Sequence, residues 1–297
     1  MRLATFSTSD DPSARAGVVL ERDHHLRFHP IDLPQDAGAA EQPMLTLMRL
    51  SPHDLMAAAE QASGMSGLSQ DEVSLQVPLV PTSLRDFIGF EDHARAGANR
   101  RGEDLSPAWF ERPFYYKGNH LAVVAPGHSV KRPSFTSALD FEMEVACIVG
   151  QDIIDANEEQ AGNAIFGYTI MNDWSARDVQ KAEMASRLGP SKSKDFATSL
   201  GPYLLTADDL SRTPSLQMTA RVNDETVCTA NLGELFWTFP RTISFVSQGE
   251  MVRRGDVFGS GTAFGGCMLD QGGRYLEPGD TIELEVEGIG VLRNTVA

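Results

Sequence analysis

Two glutamates stand two positions apart in a stretch whose other residues are typical of a buried strand. Glu142 and Glu144 lie within LDFEMEVACIVG, residues 139–150. Successive side chains of a strand point to opposite faces, so the two carboxylates share one face and the apolar side chains share the other. Two like charges on one face repel unless a cation lies between them. The spacing therefore indicates either a metal site or a strand face that is open to solvent.

A third carboxylate stands at the end of another apolar stretch. Asp173 occurs in FGYTIMNDWSARDVQ, where strand-like residues end at Met171 and helix-like residues follow. Such a junction can project a side chain from the edge of a sheet. Mg²⁺ and Ca²⁺ prefer carboxylate oxygens, and a magnesium site leaves some positions to water or substrate. Asp173 is thus a candidate third ligand, although capping the helix explains it equally well from spacing alone.

The elements that must position these carboxylates predict a β-rich domain. From Val77 onward, short strand patterns alternate with turns rich in Gly, Pro and Asp. We predict helical insertions around residues 85–101 and from near Asp173, and a weaker one at residues 240–248. The glycines of GSGTAFGG lack the strand, loop and helix context of a nucleotide site.

The first 75 residues predict a separate small unit. Three strand-like stretches precede SPHDLMAAAEQA, a helix pattern with Ser51 as its N-cap. We therefore expect two domains, residues 1–75 and residues 76–297. The histidines of the first unit are expected to be exposed on its strands and to form no metal cluster: His24, His25 and His29.

The composition argues against several classes of partner. The chain of 297 residues has 41 acidic and 25 basic side chains, a formal net charge of −16. Such a charge repels nucleic acid and anionic membranes. The sequence has no apolar run long enough for a membrane span and no signal-peptide pattern, so we expect a cytoplasmic protein. The cysteines lack zinc-site spacing and are expected to be reduced core residues: Cys147, Cys228 and Cys267.

Several motifs taken together resemble the fumarylacetoacetate hydrolase family. They are LDFEMEVACIVG, MNDWSARDVQ, LGPSKSKDFATSLGPYL, NLGELFWTF, GDVFGSGT and VEGIGVLRN, and the similarity begins near Pro81. The resemblance implies an α+β, β-rich fold, a mixed β-sandwich roll with a small N-terminal α/β unit. It also implies a divalent metal, Mg²⁺ or else Mn²⁺ or Ca²⁺, a homodimer, and chemistry on a small 2-oxo acid or diketo acid.

The resemblance also implies roles for single residues. The implied metal ligands are Glu142, Glu144 and Asp173, with Asp86 as an additional or water-mediated ligand. His93 matches the general base, which draws a proton from a water near the metal. The remaining matches are Lys194 as a catalytic cation and four substrate contacts: Tyr116, Arg177, Gln180 and Thr262.

Two departures from the family's pattern change the expected chemistry. The fumarylacetoacetate-cleaving enzymes have an acidic residue shortly after the SGT stretch that orients the histidine, and GSGTAFGGCMLD has none at that place. Smaller relatives place a Glu three residues after the histidine, where this chain has Ala96, and Glu91 would point away from His93. We therefore expect an incomplete proton-transfer pair. In addition, Ile88 replaces a substrate-contacting tyrosine and offers no polar partner to a second carboxylate.

Three functional hypotheses follow. The first is a metal-dependent hydrolase that cleaves a C–C bond in a 1,3-dicarbonyl or acylpyruvate-type 2-oxo acid. The second uses the same pocket as a hydratase, dehydratase, decarboxylase or isomerase of a 2-oxo acid. The third is a metal-binding protein that binds an oxo acid without turnover. Because of Ile88, we expect fumarylacetoacetate to be a poor substrate and short acylpyruvates to be better ones.

Overall fold

The computed structural model describes residues 1–33, 42–209, 214–272 and 274–297. Short β-strands dominate it, and most of them are joined by turns. The strands are β1 Arg2–Thr8, β2 Arg15–Arg22, β3 His25–Pro30, β4 Leu68–Ser69, β5 Val73–Leu75, β6 Leu84–Phe87, β7 Tyr115–Gly118, β8 Val123–Val124, β9 Ser129–Val130, β10 Leu139–Asp140, β11 Met143–Val149, β12 Ile165–Asp173, β13 Ser175–Ala176, β14 Thr198–Thr206, β15 Gln217–Val222, β16 Glu225–Asn231, β17 Val257–Gly259, β18 Thr281–Val286 and β19 Gly290–Val296.

The helices are short and lie between the strands. They are α1 Pro43–Leu47, α2 Pro52–Ser63, α3 Glu91–Arg100, α4 Ala108–Glu111, α5 Glu158–Asn163, α6 Arg177–Ala185, α7 Phe239–Ser247 and α8 Met268–Gln271. This content confirms the α+β, β-rich fold that the sequence predicts. Within the described ranges, no helix is both long enough and apolar enough to cross a membrane.

A large mixed sheet holds the central strands. Its main path through the described residues runs in the order β4-β3-β2-β1-β14-β12-β11-β17-β6-β7, with β5 paired to β1 and β8 paired to β14. A second sheet has the order β16-β15-β18-β19-β9. The main core lies between these sheets and contains side chains from both, such as Val145 and Tyr168 from the first and Met218 and Leu284 from the second.

The alternation predicted for residues 139–150 is present. Phe141, Met143 and Val145 are fully buried in the main core. Ala146 and Ile148, on the opposite face of β11, belong to a second core that includes α1 and α2. This opposite face is the one that carries the glutamates, because side chains two apart on a strand share a face.

The N-terminal residues extend the same large sheet. Strand β1 pairs with β14, with Arg2 opposite Leu205 and Leu3 opposite Leu204. The second core combines Leu3 and Val18 with residues such as Leu200 of the later chain. The domain division after residue 75 stays a prediction, and it would have to pass through a continuous sheet.

Several local predictions can be compared with the structure. Ser51 caps α2, since its hydroxyl accepts the backbone N–H of Asp54 at 3.1 Å. The helix predicted around residues 85–101 is wrong at its start, because residues 84–87 form β6 and α3 begins only at Glu91. His24 and His25 are exposed as expected, but His29 is buried, since its side chain faces inward from β3.

Candidate metal centre and active site

Four carboxylates meet on the large sheet. Glu144 lies in β11 and Glu142 directly precedes it, Asp173 ends the neighbouring strand β12, and Asp86 lies in β6. One ligand oxygen from each residue lies within 4.8 Å of the others, and all four side chains are buried. The alternative of a solvent-open strand face for the glutamates is therefore wrong.

A glycine makes room for this cluster. Strand β17 lies between β11 and β6, and its Gly259 stands opposite both Ala146 and Asp86. A Cβ at Gly259 would lie 2.5 Å from Oδ1 of Asp86 and 2.9 Å from Oε2 of Glu144. Any larger side chain would push these carboxylates apart. Gly259, the second glycine of GDVFGSGT, thus keeps the space that the acidic cluster needs.

The electrostatics of the cluster fit a bound cation. Burial, together with the neighbouring carboxylates, raises the pKa values of Asp86 and Glu144 well above their usual range. Burial also raises the pKa of Asp173. Oε1 of Glu144 and Oδ1 of Asp173 are buried and have no hydrogen-bond partner among the described residues. Buried polar atoms normally have partners, and an all-oxygen set suits a hard divalent ion.

Two cations already neutralise one side of the cluster. Nζ of Lys194 lies 2.7 Å from Glu142 and 2.5 Å from Asp173. The guanidinium of Arg177 lies 2.8 Å from the other oxygen of Glu142. Burial opposes ionisation, but Lys194 and Arg177 lower the pKa of Glu142 to about 2. Glu142 is therefore charged at neutral pH.

The predicted substrate contacts on α6 share one face of that helix. Nη1 of Arg177 donates to Oε1 of Gln180 at 2.9 Å. Nη2 of Arg177 is buried without a partner among the described residues, so it is free to donate to a ligand oxygen. Lys192 lies away from the carboxylates, with its ammonium 5.5 Å from the ring centre of Phe135.

Asp140 positions Arg177, a role that the sequence analysis does not predict. It accepts Nε of Arg177 at 2.7 Å, and also the backbone N–H groups of Met268 at 2.8 Å and Leu269 at 3.1 Å. The carboxylate is fully buried. Asp140 stands in the same LDFEME stretch as the glutamates, but its pairing is between distant segments, which periodicity alone does not predict.

Tyr116 and Thr262 lie at different points of the site. The hydroxyl of Tyr116 donates to Oδ2 of Asp173 at 2.6 Å, so this side chain touches a predicted metal ligand directly. Thr262 is buried in the segment after β17, and its hydroxyl donates to the carbonyl of Ala263 at 3.3 Å. Their roles in binding substrate stay predictions.

His93 has a carboxylate partner, contrary to the expectation of an incomplete pair. Its Nδ1 lies 2.9 Å from Oδ2 of Asp270, whose side chain has 0% exposure. Asp270 is the last residue of GSGTAFGGCMLD and lies in α8, at a different spacing from the one that the family resemblance implies for this acid. The backbone N–H of Gly265 also donates to this oxygen, at 3.0 Å.

Glu91 and Ile88 are the other positions that bear on the departures from the family's pattern. Glu91 pairs with Arg95 and not with His93, as expected for a residue on the far side of a helix. Ile88 follows β6, its backbone N–H donates to the carbonyl of Phe114, and its side chain is 43% exposed. Ile88 stands two residues after Asp86 and just outside β6, which ends at Phe87.

Most of the chain matches the model of one protein family. Residues 82–297 match the family model described as fumarylacetoacetate (FAA) hydrolase C-terminal. The chain belongs to the fumarylacetoacetate hydrolase family. The matched region contains every residue of the site described above, from Asp86 to Asp270.

Similar curated proteins of this family carry different activities. Oxaloacetate tautomerase fahd2 of Xenopus laevis, a mitochondrial protein, is 27% identical over 299 residues, which cover 100% of this chain and 90% of that protein. Oxaloacetate tautomerase YisK of Bacillus subtilis is 30% identical, with 80% of this chain and 77% of that protein covered. Fumarylacetoacetase of Arabidopsis thaliana is 29% identical, but the match covers only 67% of this chain and 60% of that enzyme.

Solved structures share the fold over the whole chain. Fumarylacetoacetate hydrolase from Exiguobacterium antarcticum superposes with a TM-score of 0.75 at 24% identity, with 100% of this chain and 99% of that chain covered. A 5-carboxymethyl-2-hydroxymuconate delta-isomerase from Mycobacterium smegmatis gives a TM-score of 0.73 at 22% identity, with the same coverage. At this identity the likeness shows the fold, not the reaction.

Proposed function

We propose that this protein is a divalent-metal-dependent enzyme that moves a proton on the enolate of a small 2-oxo acid. The observation that carries the proposal is the buried cluster of Asp86, Glu142, Glu144 and Asp173, with two unpartnered oxygens beside Lys194 and Arg177. A buried acidic cluster with perturbed pKa values is typical of a functional site.

The metal would be held by these four carboxylates. Mg²⁺ and Mn²⁺ are the favoured ions, and Ca²⁺ is compatible with the oxygen ligands. When bound, a divalent cation supplies a Lewis acid for the carboxylate and the 2-oxo group of a substrate. The substrate would thus be oriented with its oxo-acid end at the cluster.

The cationic side chains would hold the charge that develops on the substrate. Lys194 and Arg177 are both buried, and Arg177 has a free N–H group. Fixed donors in a water-poor site stabilise an enolate more strongly in the transition state than in the ground state. Gln180, bonded to Arg177, would contribute the neighbouring polar contact.

His93 would move the proton. It lies close enough to Glu142 that a protonated His93 ring would act with Lys194 and Arg177, against the effect of burial, to lower the pKa of that carboxylate. Asp270 holds Nδ1 of His93, which leaves Nε2 to take a proton from a carbon or from water. A proton removed from C3 and delivered to the oxygen on C2 gives the enol, and a proton removed from that enol oxygen and delivered to C3 gives the keto form.

Keto–enol tautomerisation is our first candidate reaction. The two oxaloacetate tautomerases match this chain over 100% and 80% of its length, so their similarity extends into the N-terminal residues. Oxaloacetate is a small 2-oxo acid, and a divalent ion held by the four carboxylates, together with Lys194, Arg177 and His93 in their proposed roles, would suffice for the reaction.

Hydrolysis of a C–C bond is the second candidate. The pair of His93 and Asp270 can also activate a water, and fumarylacetoacetases match two thirds of the chain. In that reaction the water attacks the acyl carbonyl, the C–C bond breaks, and the proton from water goes to the departing enolate. We further propose that the protein forms a homodimer, as the family resemblance implies, and that it acts in the cytoplasm.

A product analysis separates the two reactions. Purified protein loaded with Mg²⁺ or Mn²⁺ is mixed with enol-form oxaloacetate and, in parallel, with short acylpyruvates, and the products are followed by NMR. Tautomerase activity gives faster conversion to keto-oxaloacetate with no fragments. Hydrolase activity gives pyruvate and a free acid. No acceleration of either reaction would favour an oxo-acid-binding protein without turnover.

A further inference from the structure

One carboxylate oxygen next to the proposed base has an unexpected partner. The side chain of Asp270 is fully buried, and its two carboxylate oxygens have different hydrogen-bond partners. Oδ2 is shared by Nδ1 of His93 at 2.9 Å and the N–H of Gly265 at 3.0 Å. Oδ1 accepts Nη1 of Arg100 at 2.6 Å. Arg100 is not among the residues that the family resemblance implies.

His93 and Arg100 come from the same helix. Both lie in α3, seven residues apart, which is two helical turns, so their side chains project from one face. From that face, His93 binds one oxygen of the Asp270 carboxylate and Arg100 binds the other. Because the two donors belong to one rigid element, Asp270 cannot rotate without losing one of them.

Removing Arg100 would leave a charged oxygen without its partner. A buried carboxylate oxygen that loses a charge-assisted hydrogen bond is strongly destabilised, and the side chain then turns or recruits water. Either change moves Oδ2 and with it the ring of His93. Arg100 is 34% exposed, so its replacement disturbs little of the core.

We infer that Arg100 is a positioning residue for the proposed reaction: it fixes Asp270, and Asp270 in turn orients His93. This inference rests on the proposed function of His93 as the base. Arg100 does not touch the metal cluster in this role, and its effect passes entirely through Asp270.

Arg95 provides a matched control. It is another arginine of α3 with a carboxylate partner, Glu91 at 2.7 Å, and it is more exposed than Arg100. Glu91 makes no contact with His93 among the hydrogen bonds of the described residues. Arg95→Met therefore removes another arginine–carboxylate pair of the same helix without touching Asp270.

The test compares Arg100→Met, Arg100→Lys and Arg95→Met in metal-loaded enzyme. We expect Arg100→Met to lower kcat about tenfold, since displacement of a reacting group by about 1 Å can cost roughly 10²-fold. KM and Mn²⁺ affinity should stay within about twofold of wild type. Arg100→Lys should restore most of the activity, and Arg95→Met should match wild type. Wild-type kcat in Arg100→Met, or an equal loss in Arg95→Met, would overturn the inference.

Two further measurements separate this inference from the proposed function. In a double-mutant cycle, Arg100→Met combined with Asp270→Asn should cost no more than Asp270→Asn alone, because residues that act through one group are not additive. The imidazole ¹⁵N signals of His93, assigned with the His93→Gln variant, report its hydrogen bonding without any substrate. They should change in Arg100→Met and not in Arg95→Met. Unchanged signals would contradict the positioning role even if the natural substrate differs from a 2-oxo acid.

Discussion

The four-carboxylate cluster and the pair of His93 and Asp270 are built in different ways. The cluster comes from neighbouring strands of one sheet, and Gly259 leaves room for it. The pair joins a helix, α3, to the segment that follows β17. The cluster concentrates negative charge in a buried place, whereas the pair contains one carboxylate that is fully hydrogen-bonded. Under the proposed function, cation binding belongs to the sheet and proton transfer to the helix, so the two functions should be separable by mutation.

The largest expected effect is loss of the cation. Asp173→Ala removes one of the four carboxylates, and we expect Mn²⁺ affinity to fall by more than about 100-fold, since even outer partners of metal ligands contribute roughly 10- to 100-fold. Calorimetric titration measures this affinity, and turnover should fall with it. Asp178→Asn is the control, because Asp178 bonds only Thr136, Ser137 and Val179 among the described residues. Unchanged Mn²⁺ affinity in Asp173→Ala would show that the cluster is not the metal site.

Loss of the base should affect turnover alone. We expect His93→Ala to lower kcat by about 10² to 10⁴ while Mn²⁺ affinity stays near wild type. His53→Ala, at an exposed histidine of α2, is the matched control. If His93→Ala keeps full activity, or if it abolishes Mn²⁺ binding, the division between sheet and helix is wrong.

Ile88 should control substrate choice. Its side chain is apolar and stands two residues after Asp86, so a second substrate carboxylate next to it would have no partner there, which costs about 1–3 kcal/mol. Ile88→Tyr should therefore shift the kcat/KM ratio by about tenfold toward acylpyruvates whose tail ends in a carboxylate. Ile88→Leu should leave the ratio unchanged. A ratio that does not move in Ile88→Tyr would place the tail elsewhere.

The smallest effect concerns pH and stability without metal. The raised pKa values of Asp86 and Glu144, caused mainly by burial, mean that these groups stabilise the metal-free fold at low pH. That contribution is lost as pH rises from about 4 through the raised pKa values. Glu142, with its pKa lowered to about 2, contributes in the opposite sense: its stabilisation is fully present above its usual value of 4.5 and is lost as pH falls toward 2.

Melting temperatures measured with and without Mn²⁺ test this direction of the pH dependence of stability. The stabilisation by Mn²⁺ should grow between pH 5 and pH 8, because the ionised carboxylates that the cation neutralises become more numerous. Equal melting temperatures with and without Mn²⁺ at pH 8 would contradict it.

The comparison between the two regions also explains what the sequence could predict. The side-chain period of two places Glu142 and Glu144 on one face, and Asp173 marks a strand end, so these three carboxylates are visible in local patterns, whereas Asp86 is predicted only from the family resemblance. For Asp270, the sequence shows only that an acidic residue occurs in the stretch after Thr262. Its contact with His93 depends on the path of residues 262–272, which local propensity does not determine. For the same reason Asp140 and Arg100, whose partners are distant in the chain, were not predicted.

The start of α3 shows a second limit of local patterns. In RDFIGFEDHARAGANRR the good helix formers come mostly after Gly89, whereas Phe87 and Ile88 favour a strand. Pairing with β7 and β17 places residues 84–87 in the sheet. As a result Asp86 points from a strand toward the cluster, and it does not cap a helix.

Oxalate binding tests the central claim most directly. Oxalate mimics the planar oxo-acid end of an enolised substrate, and its titration into the protein can be followed by calorimetry with and without saturating Mn²⁺, after subtraction of oxalate binding to free Mn²⁺. The account predicts that Mn²⁺ increases oxalate affinity by at least about tenfold, that oxalate increases Mn²⁺ affinity by the same factor, and that both effects disappear in Asp173→Ala. Equal oxalate affinity in metal-free and Mn²⁺-loaded wild-type protein would contradict it.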